Sequence, residues 1–166
     1  MLKLKPIKHT YAHCGPASLQ MVLGYFGIKT IQKHIAHIAK TTEADGTSHK
    51  GMIRALRSYD FLVRTKRNTT SFDDLRFYVN KKRLPVIVNW YSTFNPPACG
   101  HYSVVVAINR STITLMDPEI AKHRTMRLVD FNQIWFDFAS DLAYRNPPLK
   151  TDFRWMMVAW PKSHNT

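Results

Sequence analysis

The chain has 166 residues, 45% of them hydrophobic and 12% aromatic, which suits one domain with a sizeable core and excludes a disordered chain. Its 24 Lys and Arg against 11 Asp and Glu give a net charge of +13, which implies attraction to acidic polypeptides, anionic lipid or nucleic acid and implies no fold. Two cysteines exclude a disulfide framework, the first eight residues lack the apolar core of a signal peptide, and no window approaches the ~20 apolar residues that span a bilayer. A cytoplasmic protein is the expectation.

In chain order, Leu2 to Ile7 reads as a short opening strand, and Thr10 to His13 as a turn into a helix that starts at Cys14. Pro16 suits the first helical turn, where a missing N–H costs nothing. Leu19, Val22, Leu23 and Phe26 form a buried stripe at helical spacing, and Gly27 stops the helix. A second helix covers about Ile31 to Ala39, and Thr47-Ser48 caps a third through about Tyr59. Phe61 to Thr65 predicts a strand, and Ser71 caps a fourth helix whose Phe72, Leu75 and Val79 face inward.

The pattern then changes. Pro85 to Trp90 is a continuous apolar run, suited to a strand buried on both faces. Ser92 to Cys99 reads as a loop, Tyr102 to Ile108 and Thr112 to Met116 as paired strands. Asp130 caps a short helix carrying Phe131, Ile134, Trp135 and Phe138. Asp141 to Thr151 is a polar loop, Phe153 to Trp160 a closing strand, and Lys162 to Thr166 a tail. Helices first and a mostly antiparallel sheet second is the α+β class, with residues 1–166 forming a single domain.

Three residues at element boundaries carry the chemistry. Attack on an amide carbonyl needs a nucleophile, a base, an orienter for the base and donors for the oxyanion. Cys14 stands at a helix start, where the helix dipole and a nearby imidazole favour a thiolate. His101 opens a strand and fits the base; Asp117 closes a strand and fits the orienter. The Cys14 N–H supplies one oxyanion donor. Each residue alone has a bland reading, as core filler, surface imidazole or Asp-Pro turn; the combination points to a papain-like cysteine hydrolase.

Cys14-Gly-Pro-Ala-Ser-Leu-Gln-Met-Val-Leu-Gly-Tyr-Phe-Gly27 closely resembles the nucleophile helix of the bacteriocin-processing peptidase family. Asp45 to Ser48 resembles that family's loop before its third helix, Gly100 to Val106 its His strand, and Met116-Asp117-Pro118 its Asp segment. The resemblance implies a papain-like fold and a cysteine peptidase that cleaves double-glycine leader peptides through a thioester, with an ABC exporter as partner. It also implies a Gln six residues before the Cys, whose amide completes the oxyanion hole. Lys8 stands there instead, with His9 beside it, and both are the candidates for that donor. Three alternatives follow: a degenerate domain that binds a peptide or acidic partner without cutting it, an acyltransferase, and an electrostatic adaptor.

Eight histidines raise the question of a metal, yet His34 and His37, or His9 and His13, lack the patterns of zinc sites, and no cofactor is expected. Cys99 lies two residues before His101, so an extended backbone places both on one face, within reach of a disulfide to Cys14; loop packing is the favoured reading. The dispersed basic clusters, such as Lys81-Lys82-Arg83 and Lys122-His123-Arg124, match no nucleic-acid motif.

Overall fold

The computed structural model describes residues 1–94, 99–138 and 151–163. Three helices come first: α1 (Cys14–Tyr25), α2 (Gln32–Ala39) and α3 (His49–Arg57). After β1 (Phe61–Lys66) comes α4 (Phe72–Arg76), whose last turn widens into a π-helical segment, Phe77–Lys81. Then follow β2 (Val86–Ser92), β3 (Cys99–Ile108), β4 (Thr112–Asp117), β5 (Lys122–Arg127), α5 (Leu128–Ile134), β6 (Phe136–Phe138), β7 (Thr151–Phe153) and β8 (Met156–Pro161).

Six strands make one antiparallel sheet in the order β1-β8-β2-β3-β4-β5, and β6 pairs with β7 in a small second sheet. β2, the apolar run, is buried on both faces, with α1 packed against β3 next to it. Leu19, Met21, Leu23, Trp90, Val104 and Phe131 lie at the centre of the core. Burying such a side chain is worth about 1.5–3 kcal/mol.

The helices pack closely because of two glycines. A Cβ on Gly15 would stand 2.9 Å from Met52 Sδ and from Thr47 Cβ, so α1 meets the start of α3 only with glycine there. A Cβ on Gly51 would run into the Ala39 carbonyl at the end of α2. Ser48 caps α3 through Gly51 N–H at 3.1 Å, as the sequence predicts, and Ser71 with Asp74 closes a capping box on α4.

Several sequence expectations need correction. Leu2 and Leu4 are buried in strand-like alternation, but the segment is not a strand; its Leu2 N–H reaches the Val106 carbonyl and its His9 N–H the Pro118 carbonyl. Asp130 does not cap α5: Arg127 precedes the helix, and Asp130 in the first turn is gripped by the Arg127 guanidinium at 2.7 Å. Trp135 ends that helix, and Phe138 lies in β6. The closing strand is two strands, β7 and β8, broken at Arg154 in the left-handed region (φ 51). Cys99 begins β3 rather than ending a loop. Most of the loop expected over 141–151, and the last three residues, fall outside the described residues.

Candidate active site

Cys14 is the first residue of α1, half-buried at the foot of a helix whose next five residues are buried. The His13 side chain makes no cap bond and Pro16 has no N–H, so the Cys14 and Gly15 N–H groups are the first-turn donors with no helical partner. β3 carries His101 to the sulfur. A buried bond from the Ser18 hydroxyl to the Tyr102 carbonyl, 3.1 Å, locks α1 to β3 between the two residues.

His101 is 5% exposed, and its Nε2 lies 2.7 Å from Asp117 Oδ1 at the end of β4. With Nε2 taken, Nδ1 is the nitrogen left for the Cys14 side chain, which interacts with this ring. Burial works against the charged ring, but the bonds to Asp117 and Cys14 and their charges hold its pKa up at about 10. The edge of the buried Trp90 meets the ring at 5.4 Å and 85°, and the Trp90 indole N–H is tied to Ser103 Oγ at 3.1 Å.

Asp117 is fully buried, yet its carboxylate is well supplied. Arg124 Nε donates to Oδ2 at 2.6 Å, and Glu119 N–H donates to Oδ1 at 3.0 Å. Burial pushes this carboxyl up; the His101 bond and charge, Arg124 and the Glu119 N–H together bring it down to about 2. Arg124 also donates to Glu119 at 2.9 Å and stacks over Phe94 at 4.0 Å. His101, Asp117 and Glu119 have the spacing of a metal-ligand set, but their oxygens are already engaged by Arg124 and by the imidazole, so the donors do not fit a cation.

The structure separates the two candidate oxyanion residues. Lys8 is exposed, while the His9 ring lies 5.9 Å from the His101 ring. Gln32 of α2 holds the backbone on both sides of His9, donating to the Lys8 carbonyl at 2.8 Å and accepting from Thr10 N–H at 3.2 Å.

Arg124, Asn89, Trp90, Gln32 and Asp137 around the site escape sequence reasoning. Asn89 Nδ2 reaches the His101 carbonyl at 3.5 Å and its Oδ1 faces His49 at 3.4 Å; His49 stacks on Trp155. The Asp137 carboxylate occupies the space where a side chain on Gly100 would stand. Burial pushes its carboxyl up to about 6, against the bonds from Phe138 N–H and Asn89. Of these, Asn89 stands out in the sequence as a polar residue inside an apolar run.

An α-helical subdomain that presents a thiol to a buried His–Asp pair on an antiparallel sheet is the architecture of a papain-like cysteine peptidase domain. Solved structures agree over nearly the whole chain. The peptidase domain of Streptococcus ComA, described as a bi-functional ABC transporter involved in a quorum-sensing pathway, superposes with a TM-score of 0.69 at 20% identity, covering 98% of this chain and 100% of that one. A double glycine motif protease from an AMS/PCAT transporter, in complex with the leader peptide, gives 0.64 at 18% identity, covering 96% and 92%. Identities this low define the fold alone.

The Peptidase C39 family model matches residues 7–140, and the chain belongs to that family. Pediocin PA-1 transport/processing ATP-binding protein PedD of Pediococcus acidilactici is 32% identical over 106 residues, 64% of this chain but 14% of that protein. An uncharacterised protein of Methanothermobacter marburgensis is 32% identical over 114 residues, 69% of this chain and 70% of its own length. The chain thus corresponds to a small part of the transport/processing relatives. Among the described residues, no helix is long and apolar enough to cross a membrane.

Proposed function

We propose that this member of the family is an active cysteine peptidase with Cys14 as nucleophile, His101 as base and Asp117 as orienter. One observation carries the reading: a single buried imidazole is bonded through Nε2 to a buried carboxylate, and the side chain of Cys14, at a helix start, is among the groups that hold its pKa up. His101 takes the Cys14 proton, and the sulfur attacks the scissile carbonyl. The electron pair moves to oxygen and returns as the C–N bond breaks, with the His101 proton leaving on the amine. A water, deprotonated by His101, then cleaves the thioester. Asp117 holds the tautomer and favours the imidazolium throughout.

The substrate class we infer is a leader peptide ending in a glycine pair. The family, the transport/processing relative PedD and the leader-bound double glycine motif protease support it, and an exporter is the partner it implies. A second reading is a domain that binds such a peptide without cutting it; Lys8, in place of the family's Gln, favours it.

Incubation with a synthetic peptide carrying an internal Gly-Gly, followed by mass spectrometry, tests both. Cleavage after the second Gly, lost in Cys14→Ala and His101→Ala, is expected. Binding without cleavage by the wild type would replace the enzyme with the binding domain.

A further inference from the structure

A tetrahedral oxyanion is stabilised best by two donors, and losing one costs about 10²–10³ in rate. The Cys14 N–H is one. Most polar side chains around the site are committed elsewhere. Trp90 Nε1 donates to Ser103, the Tyr102 hydroxyl to the Thr47 carbonyl at 3.1 Å, and Gln32 spends both ends of its amide on backbone. Asn89 is spent on His101 and His49. His9 is different: its ring sits beside the His101 ring, on a backbone fixed by Pro118, just after β4, and by Gln32 from α2.

We propose that His9 is the second oxyanion donor, through Nε2, and that it acts as the imidazolium. His9 Nδ1 lies 2.7 Å from the Thr10 carbonyl oxygen, which accepts only, so Nδ1 carries a proton. The neutral ring with Nδ1 protonated has a bare Nε2 and donates nothing there. Donation to an oxyanion therefore requires the second proton, and the developing negative charge meets a cation rather than an amide dipole.

The His9 ring stands beside His101, which is bonded to Asp117. Asp117 and Glu119 flank the Pro118 whose carbonyl holds the His9 N–H, and they share Arg124; Lys8 and His13 lie on the His9 segment. During acylation the Cys14 sulfur forms a bond to the carbonyl carbon, the C=O pair moves to oxygen, and His9 Nε2–H donates to that oxygen without giving up its proton. Collapse returns the pair, and the proton on His101 leaves with the amine.

The proposal rests on the peptidase reading above, and the test separates the two. A peptide aldehyde ending in Gly-glycinal adds reversibly to Cys14, leaving its oxygen where the oxyanion forms. Capture is measured for wild type, His9→Ala and His9→Gln from pH 5 to 9, alongside the rate at which iodoacetamide alkylates Cys14, which needs no oxyanion donor. His9→Ala should weaken capture tenfold or more, with alkylation changed less than about threefold. His9→Gln should recover capture and hold it from pH 5 to 9, because an amide donor carries no titrating proton. Capture by His9→Ala within tenfold of wild type, or a pH profile in His9→Gln identical to that of wild type, overturns the assignment to His9 while leaving the peptidase intact. A wild type that neither captures the aldehyde nor alkylates at Cys14 overturns both. Circular dichroism of each variant separates misfolding from chemistry, and His9→Gln alone suffices if His9→Ala does not fold.

Discussion

Asp117 holds His101 at 2.7 Å through one carboxylate oxygen and Arg124 at 2.6 Å through the other, so a fully buried acid is shared between two cations. A buried carboxylate in this position is stable only while both partners are present.

The pH dependence of that arrangement has a definite sign. Asp117 falls from 3.8 to about 2 on folding, so its contribution is complete above about pH 4 and lost as pH drops towards 2. His101 rises from 6.5 to about 10, so its contribution is complete below about pH 6.5 and lost as pH climbs through 10. Asp117→Asn should therefore lower Tm most between those limits, by the equivalent of about 2 kcal/mol, and the gap should close on either side. Turnover should fall by up to about 10⁴-fold, as loss of a triad carboxylate does elsewhere. A Tm gap constant from pH 2 to 10 would show that the pair contributes packing rather than charge.

Arg124→Met should cost about 3 kcal/mol, because it leaves Asp117 and Glu119 facing each other with no cation between them. Adding Glu119→Gln should recover part of the Tm but little of the turnover, since Asp117 Oδ2 still lacks its donor. Full turnover in Arg124→Met, measured with a cleavable Gly-Gly peptide, would free Arg124 from any part in orienting the dyad.

The two thiols should differ in reactivity. Burial, followed by the charges of Cys14, Asp137 and Glu119, pushes the Cys99 thiol up, whereas Cys14 has His101 to take its proton. Brief iodoacetamide treatment at pH 6.5 with peptide mapping should find Cys14 modified at least about tenfold faster. Preferential labelling of Cys99 would contradict the assignment of the nucleophile.

The +13 charge predicts salt-sensitive association with an acidic peptide. The Debye length shrinks from about 30 Å at 0.01 M to about 8 Å at 0.15 M salt, so the Kd of a fluorescein-labelled Glu-rich peptide should rise steeply over that range. A flat Kd would reduce the surface charge to a solubility feature.

The fold class and the place of each triad candidate were legible because each rests on a local pattern. Cys14 heads a helical stripe, His101 lies near the start of an apolar strand and Asp117 ends one. What escaped depends on contacts between distant segments. β5 reads as a basic cluster because most of its residues are exposed at a sheet edge, although Arg124 turns inward to Asp117. The choice between Lys8 and His9 is a matter of register in an irregular segment, fixed by Gln32 more than 20 residues away, and no periodicity encodes it. The alternation of Leu2 and Leu4 imitates a strand because both side chains enter the core from a segment with no ladder.

The Ser18–Tyr102 bond joins positions 84 residues apart, one turn along the helix from Cys14 and next to His101 on the strand. Contacts of such long sequence separation close late relative to helices. A chain with α1 formed and β3 undocked carries Cys14 without His101 beside it, so its sulfur has the reactivity of an ordinary thiol. In stopped-flow refolding, helical circular dichroism should thus recover before Cys14 captures an electrophile at its native rate; simultaneous recovery would mean that α1 and β3 dock as they form. The native rate of capture then reports the docking of the two elements rather than the formation of either.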